Sequence, residues 1–325
     1  MSSCRALINA AVAVVIAGGL TLAGARPADS AASSGAAPHV PVFAYYYMWM
    51  HGSYWETSKL DHPVQPFPGN YNSSSPAVMN WQIQQAKAAG ITGFIVSWKN
   101  TALYRLILPR LEKVANQDNF RLAMEYEGLD HAGLPVPAFQ VAQDFNYFVA
   151  NYAADPAWYR IGGKPLTMWS GSAKFTDHAV CGVTGPVRRA ILVLAEARSI
   201  AAFQRLANCT DGDAYYWSSL NPATKLGWAG KLSALGAAVH RAGQVWLAPF
   251  APGFNDTLSG GHVIVARGGG ATLRSEYAAA VGSAPDILGL ISWNEWTENT
   301  YVEPSVNFGY AYVHVLGDLL GPAPG

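Results

Sequence analysis

Charge is scarce in this sequence. Asp, Glu, Lys and Arg make up only 13% of it, and 21 cationic residues balance 21 acidic ones, so the formal net charge is zero. A polyanion would find no attractive field on such a chain, so no nucleic-acid partner is expected. Cysteine is scarcer still, at three residues, with no Cys-x-x-Cys pair. The eight histidines are scattered and form no His-Glu-x-x-His, so no metal site is expected. A Gly-x-Ser-x-Gly elbow is missing too, which argues against an esterase-type hydrolase. Arg267-Gly-Gly-Gly270 lacks the Lys-Ser/Thr that would make it a phosphate loop, and reads as a flexible segment before a helix.

Long apolar runs are confined to the N-terminus. Arg5 precedes an apolar stretch over 6–23, followed by Ala23-Gly24-Ala25, a small-x-small cleavage signal. Residues 1–25 therefore read as a secretory signal peptide, with a membrane anchor as the alternative. Residues 26–38, rich in Ala, Ser and Pro, read as a disordered lead-in. No later segment is long and apolar enough to span a bilayer, so an extracellular protein free of the membrane is expected, and a monomer. Cys4 leaves with the signal peptide, and Cys181 with Cys209 then form one disulfide by default; two separate buried thiols are the alternative. Asn72, Asn208 and Asn255 each head an Asn-x-Ser/Thr sequon, which favours surface loops only in a glycosylating source.

What is plentiful is apolar and aromatic: half the chain is hydrophobic, with 11 Trp and 16 Tyr. Aromatic-rich, charge-poor surfaces suit neutral ligands with apolar faces, and sugars are such ligands. Short β-rich runs at 42–47, 91–98, 120–126, 165–169, 190–194, 214–217, 245–250 and 287–293 read as strands. Helical patterns separate most of them, at 75–89, 103–116, 137–153, 200–207, 222–241, 272–281 and 308–320. Eight strands alternating with helices predict a single-domain (β/α)8 TIM barrel over 39–325. The rival, an open doubly wound sheet, often carries a glycine-rich turn after its first strand, and here that strand runs into Tyr47-Met-Trp-Met50.

A barrel places its reactive groups at the C-terminal ends of its strands. The predicted rim collects Tyr46 and Trp49, Trp98, Glu125 and Glu127, Tyr216, Asp256, and the run Trp293-Asn294-Glu295-Trp296-Thr297-Glu298, with Glu303 beyond. Any one of these is ordinarily a core aromatic or a solvated acid; together they suggest a sugar site. Glycoside cleavage needs one carboxyl protonated and one ionised, and surroundings separate their pKa values. Glu295 lies between two tryptophans, and Glu298 follows three residues on. In a helical turn that spacing brings both to one face; in an extended run they point apart.

Ser292-Trp-Asn-Glu-Trp-Thr-Glu-Asn-Thr-Tyr-Val-Glu-Pro304 resembles the signature W-N-E-W-H-E-G-T-x-I-E-P of glycoside hydrolase family 99, the endo-α-mannosidase-like barrels. Phe43–Trp49, His62, Gly69-Asn-Tyr71, Ala89–Trp98, Gly163–Leu166 and Pro252-Gly-Phe-Asn-Asp256 are similar to further family segments in order. The resemblance implies a retaining, endo-acting hydrolase of α-mannosidic bonds with no metal or organic cofactor. Glu295 would be the base acting on the substrate's own 2-hydroxyl, giving a 1,2-anhydro sugar, and Glu298 the acid. Glu127 would meet a sugar hydroxyl, and His62, Asn294, Trp296 and Glu303 fall within matching segments around the substrate. Thr297 stands where the family has His and Asn299 where it has Gly, and the usual Pro before Trp49 is missing. An α-1,3-glucan substrate, as in related barrels, and a glycan-binding barrel without turnover therefore stand as alternatives. Only the enzyme requires both Glu295 and Glu298.

Overall fold

The computed structural model describes residues 40–56, 59–64, 66 and 70–321. The expected signal peptide and lead-in, with Cys4, His39 and Gly69, lie outside the described residues.

Eight parallel strands close into a barrel: β1 (Val42–Tyr46), β2 (Gly93–Trp98), β3 (Arg121–Glu127), β4 (Lys164–Ser170), β5 (Leu192–Ala195), β6 (Gly212–Ala214), β7 (Val245–Phe250) and β8 (Ile287–Leu290). Neighbours in sequence are neighbours in space, and the ring closes where Val42 of β1 pairs with Leu288 of β8. A helix follows each strand: α1 (Pro76–Ala88), α2 (Ala102–Gln117), α3 (Ala138–Asn151), α4 (Asp177–Val187), α5 (Ile200–Leu206), α6 (Trp228–Arg241), α7 (Ala271–Val281) and α8 (Ala311–Leu320). The molecule is the expected single-domain (β/α)8 barrel.

Two buried layers follow from the two-residue period of the strands. Phe43, Tyr45, Ile95, Ala123, Met168, Leu194 and Leu247 fill the barrel interior. Val42, Ala44, Tyr46, Phe94, Val96 and Trp98 point outward and pack beneath the helices. Both faces of the sheet are thus covered, which is why the strands read as nearly unbroken apolar runs.

Several boundaries differ from the sequence expectation. The chain carries α4, where none was expected. Gly182, Gly185 and Pro186 interrupt its apolar pattern, yet Thr176 caps it by accepting the Ala179 N–H at 3.2 Å. Strand β6 begins two residues earlier than expected and is shorter. A Cβ at Gly212 would stand 2.0 Å from the Val245 carbonyl oxygen, so this close β6–β7 approach requires glycine. Helix α6 starts at Trp228 and not near 222, because Asn221 caps turns with its own carbonyl and side chain. Strand β8 stops at Leu290, ahead of the motif that carries the acids.

Cys181, on α4, and Cys209, just after α5, form a disulfide across 28 residues. Replacing both (Cys181→Ser with Cys209→Ser) is expected to lower unfolding free energy by about 2–4 kcal/mol, since the open chain regains loop entropy. Paired urea melts measure the difference. Two reactive thiols in unreduced, denatured wild-type protein would show that no bridge forms.

Candidate active site

The segment after β8 is held by a dense set of backbone anchors. Trp293 donates its N–H to the Tyr45 carbonyl at 2.8 Å, prolonging contact with β1 beyond the regular pairing. The Asn294 side chain then clamps the Tyr47 backbone from both sides: Oδ1 accepts the Tyr47 N–H at 2.8 Å, and Nδ2 donates to the Tyr47 carbonyl at 3.0 Å. Ser292 Oγ accepts the Glu295 N–H at 2.8 Å and meets Thr300 Oγ1 at 2.9 Å. Thr300 N–H donates to the Glu295 carbonyl at 3.2 Å, closing a turn over 295–300. Asn299 takes φ +51° inside it, a left-handed conformation that Asn tolerates better than most residues. The chain therefore adopts the turn, not the extended alternative, and both acids face one cleft.

That cleft encloses about 210 Å³ at the C-terminal end of the barrel. Tyr47, Trp49 and Tyr216 form its aromatic wall, with the two phenol oxygens 3.0 Å apart and the Trp49 ring 4.5 Å from that of Tyr47. Glu125, Glu127, Glu295 and Glu298 supply four carboxyls, and Ser170 completes the lining.

Four carboxyls in one small volume hold their protons tightly. Burial, followed by the charge of Glu298, pushes Glu295 up to about 8. Against this rise act the Thr297 hydroxyl and N–H, both donating to Oε1, and the Glu298 N–H. Glu298 is pushed up to about 7, again chiefly by burial and then by the charges of Asp256 and Glu127. Glu125 stands well above the carboxylate range through burial and the charges of Glu127 and Glu196. Glu127 is raised by burial, opposed by the Ser97 hydroxyl at 2.7 Å and by the Lys99 ammonium. With Glu298 at about 7 and Glu295 at about 8, the two carboxyls together hold about one proton between those values.

The structure brings Trp49, Glu125, Glu127, Tyr216, Glu295 and Glu298 together, and leaves other expected contact residues outside the cleft. Tyr46 faces outward, its ring stacked 4.5 Å from Phe94 and its hydroxyl donating to Gln82 Oε1 at 2.7 Å. Trp98 packs against Phe148 and Tyr152 beneath the helices. The cause is strand parity: Tyr45 and Tyr47 point inward, so Tyr46 cannot, and Ser97 takes the inward place beside Trp98. Glu303 lies under the floor, accepting from Tyr71 at 2.8 Å and Gln82 at 2.7 Å. Asn294 serves the backbone clamp. Trp296 stacks on Tyr301 at 4.1 Å, and its Nε1 donates to the Tyr71 hydroxyl at 3.3 Å. His62 rests on the Trp55 ring at 5.8 Å, and Trp55 in turn contacts Trp296. Asp256 binds the Val263 N–H at 2.8 Å and reaches Glu298 through its charge. Tyr47 and Ser97, at the predicted rim but not among the expected contact residues, and Ser170, which was missed, are the inward positions of β1, β2 and β4, and Tyr47 and Ser170 line the cleft.

The chain matches no protein-family model and no curated protein. Among solved structures, the GH99 endo-α-mannosidase from Bacteroides thetaiotaomicron, bound to bis-tris propane, superposes with a TM-score of 0.73 at 19% identity, covering 86% of this chain and 97% of that one. A glycoside hydrolase-like protein superposes with a TM-score of 0.69 at 16% identity, covering 88% and 95%. A GH5_18 protein from Streptomyces cattleya in complex with GlcNAc reaches 0.52 at 12% identity, covering 88% and 82%. In fold, this chain is a (β/α)8 barrel similar to the Bacteroides endo-α-mannosidase over most of both lengths.

Proposed function

We propose that this chain is a secreted, endo-acting glycoside hydrolase that cleaves α-linked glycans with retention, using Glu295 as base and Glu298 as acid. The observation that carries the reading is the asymmetry of the pair. Both carboxyls come from one turn and face one aromatic-walled cleft, but Glu295 accepts three hydrogen bonds, and no donor to the Glu298 carboxyl is found among the described residues. Donors stabilise the ionised form, so hydrogen bonding favours the carboxylate of Glu295 and leaves Glu298 without that support. Burial offsets this and holds Glu295 the higher of the two. A sugar 2-hydroxyl donating to Glu295 adds a fourth hydrogen bond to the ionised form, while the glycosidic oxygen accepts from Glu298. Substrate thus sorts the single proton onto Glu298.

From there the steps balance. Glu298 gives its proton to the departing oxygen as Glu295 takes the proton of the 2-hydroxyl. The freed O2 closes onto the anomeric carbon, forming a 1,2-anhydro sugar. Water, deprotonated by Glu298, opens the ring, and Glu295 returns its proton to O2. Two inversions leave the anomeric configuration unchanged. Burial raises Glu125 and Glu127 and favours their protonated forms, in which each can donate to and accept from sugar hydroxyls. Trp49 and the tyrosine pair offer faces for the apolar side of a pyranose. The fold likeness to an endo-α-mannosidase supports this reading and favours an α-mannoside. An α-glucan is the second candidate, because Thr297, in place of the family's His, bonds Glu295 directly; its 2-hydroxyl lies on the same side as the leaving oxygen, so the 1,2-anhydro route belongs to the α-mannoside alone. The sequence of residues 1–25 and the disulfide support export to an oxidising compartment.

Purified protein should release oligosaccharides from a mannan or an α-glucan, read by product mass. Glu298→Gln and Glu295→Gln should each lower kcat by about 10²–10⁴-fold with an unchanged circular dichroism spectrum. Full activity in either variant would sink the assignment, and a wild type silent on the whole panel would leave a binding protein.

The pH dependence has a definite sign. Below the pair's lower step both carboxyls are protonated and Glu295 cannot accept; above its upper step both are ionised and Glu298 cannot donate. The profile of kcat/KM should be bell-shaped, with limbs at about 7 and about 8. A flat profile across that interval would contradict the one-proton pair.

A further inference from the structure

Arg267 is a buried cation that the proposed chemistry does not use. It is 8% exposed and has no carboxylate within ion-pair distance among the described residues. The charge of Asp61 supports it from beyond that range, and burying a charge without an ion-pair partner is costly. Here the cost is offset in two ways. The guanidinium carbon lies 4.8 Å from the Tyr301 ring centre, 4.6 Å from that of Phe308 and 4.5 Å from that of Tyr312, a three-sided aromatic cage. Nη2 donates to the Asn299 carbonyl at 2.9 Å, to Asn299 Oδ1 at 3.2 Å and to the Tyr301 carbonyl at 2.7 Å.

Those acceptors belong to the turn that carries the acids. Asn299 follows Glu298 directly and is the residue in the left-handed conformation. A second loop grips the same turn: the Asn255 N–H donates to the Glu298 carbonyl at 2.8 Å. That loop and the segment carrying Arg267 are joined as a short antiparallel hairpin, Phe254–Asn255 with Ile264–Val265. Gly253 makes room for the arrangement, since a Cβ there would stand 2.7 Å from Arg267 Cγ. Where the resembling family motif has Gly at position 299, this chain has an Asn whose backbone and side chain are both tied to the arginine.

We infer that Arg267 is a positioning residue for the reacting pair, fixing from behind the cleft the turn that presents Glu298. This rests on the reading of Glu295 and Glu298 as that pair. Without the guanidinium, Asn299 and Tyr301 lose a shared donor, and the peptide after Glu298 is held on one side only, by Asn255 and the turn's own bonds. The carboxyl of Glu298 then gains water and moves away from Asp256, Glu127 and Glu295, the acids that face it.

The test needs no substrate. Carboxyl ¹³C NMR titrations of Glu295 and Glu298, assigned with the two Gln variants, are compared in wild type, Arg267→Met, Arg267→Gln and Leu232→Ala. Leu232 is a buried residue of α6, so the last variant controls for lost stability alone. In Arg267→Met the Glu298 midpoint should fall from about 7 toward the ordinary 4.5, with a smaller fall in Arg267→Gln, and none in Leu232→Ala. Unmoved midpoints in the arginine variants, with only the melting temperature lowered, would overturn the inference. If Arg267→Met fails to fold, Arg267→Gln decides alone. On a hydrolysed glycan, kcat should drop up to about 10²-fold with KM little changed. An equal kcat loss in Leu232→Ala would overturn the inference as well. Absence of any hydrolysed glycan would count against the hydrolase reading and leave the titration result standing.

Discussion

The cleft depends on one pair of hydrogen bonds, the Asn294 amide against the Tyr47 backbone. Regular pairing between β1 and β8 ends before either strand reaches the residues that line the cleft. Past that point nothing in the sheet ladder obliges Trp49 and Glu295 to stay near each other. The amide takes over the ladder's role, offering one acceptor and one donor as a strand would. Each such bond is worth about 1 kcal/mol net, but in this buried place its loss would also strand a backbone polar group. The aromatic wall arrives on the β1 side of the seam and the acids on the β8 side. Their meeting is therefore a property of the seam, not of either strand.

Around this geometry the electrostatics are one-sided. Glu125, Glu127, Glu295 and Glu298 share a cleft in which no ion pair to any of them is found among the described residues. Such a cluster settles its repulsion by keeping protons, and protonated carboxyls are both donors and acceptors. The same burial that disfavours charge thus makes the cleft suited to hydroxyl-rich, uncharged ligands.

Much of this was legible in the sequence, for identifiable reasons. The eight strands showed because both sheet faces are covered, leaving dense apolar runs. Glu295 and Glu298 showed because they are three residues apart, so a local reading contained the whole pair. Tyr46 and Trp98 were misplaced because the rim was read as a set of residues without their alternation, and parity puts Tyr47 and Ser97 inward. Helix α4 was hidden by Gly182, Gly185 and Pro186, despite its Thr176 cap. Arg267 was hidden more deeply. Its neighbours are three glycines, which read as flexibility, and its cage comes from residues more than thirty positions away.

The Glu303 carboxyl joins two parts of the protein that otherwise have separate tasks. It accepts from Gln82 on α1, which also receives the Tyr46 hydroxyl from the outer face of β1, and from Tyr71, whose hydroxyl receives the Trp296 indole. A single chain of polar contacts therefore runs from the helical shell to the turn that carries the acids. Positions 82 and 303 cannot drift independently, because an apolar residue at either strands the other's buried polar atoms. Homologues that exchange one should exchange both. An engineer who recasts helix α1 while sparing the acids would still be editing the packing beneath the cleft.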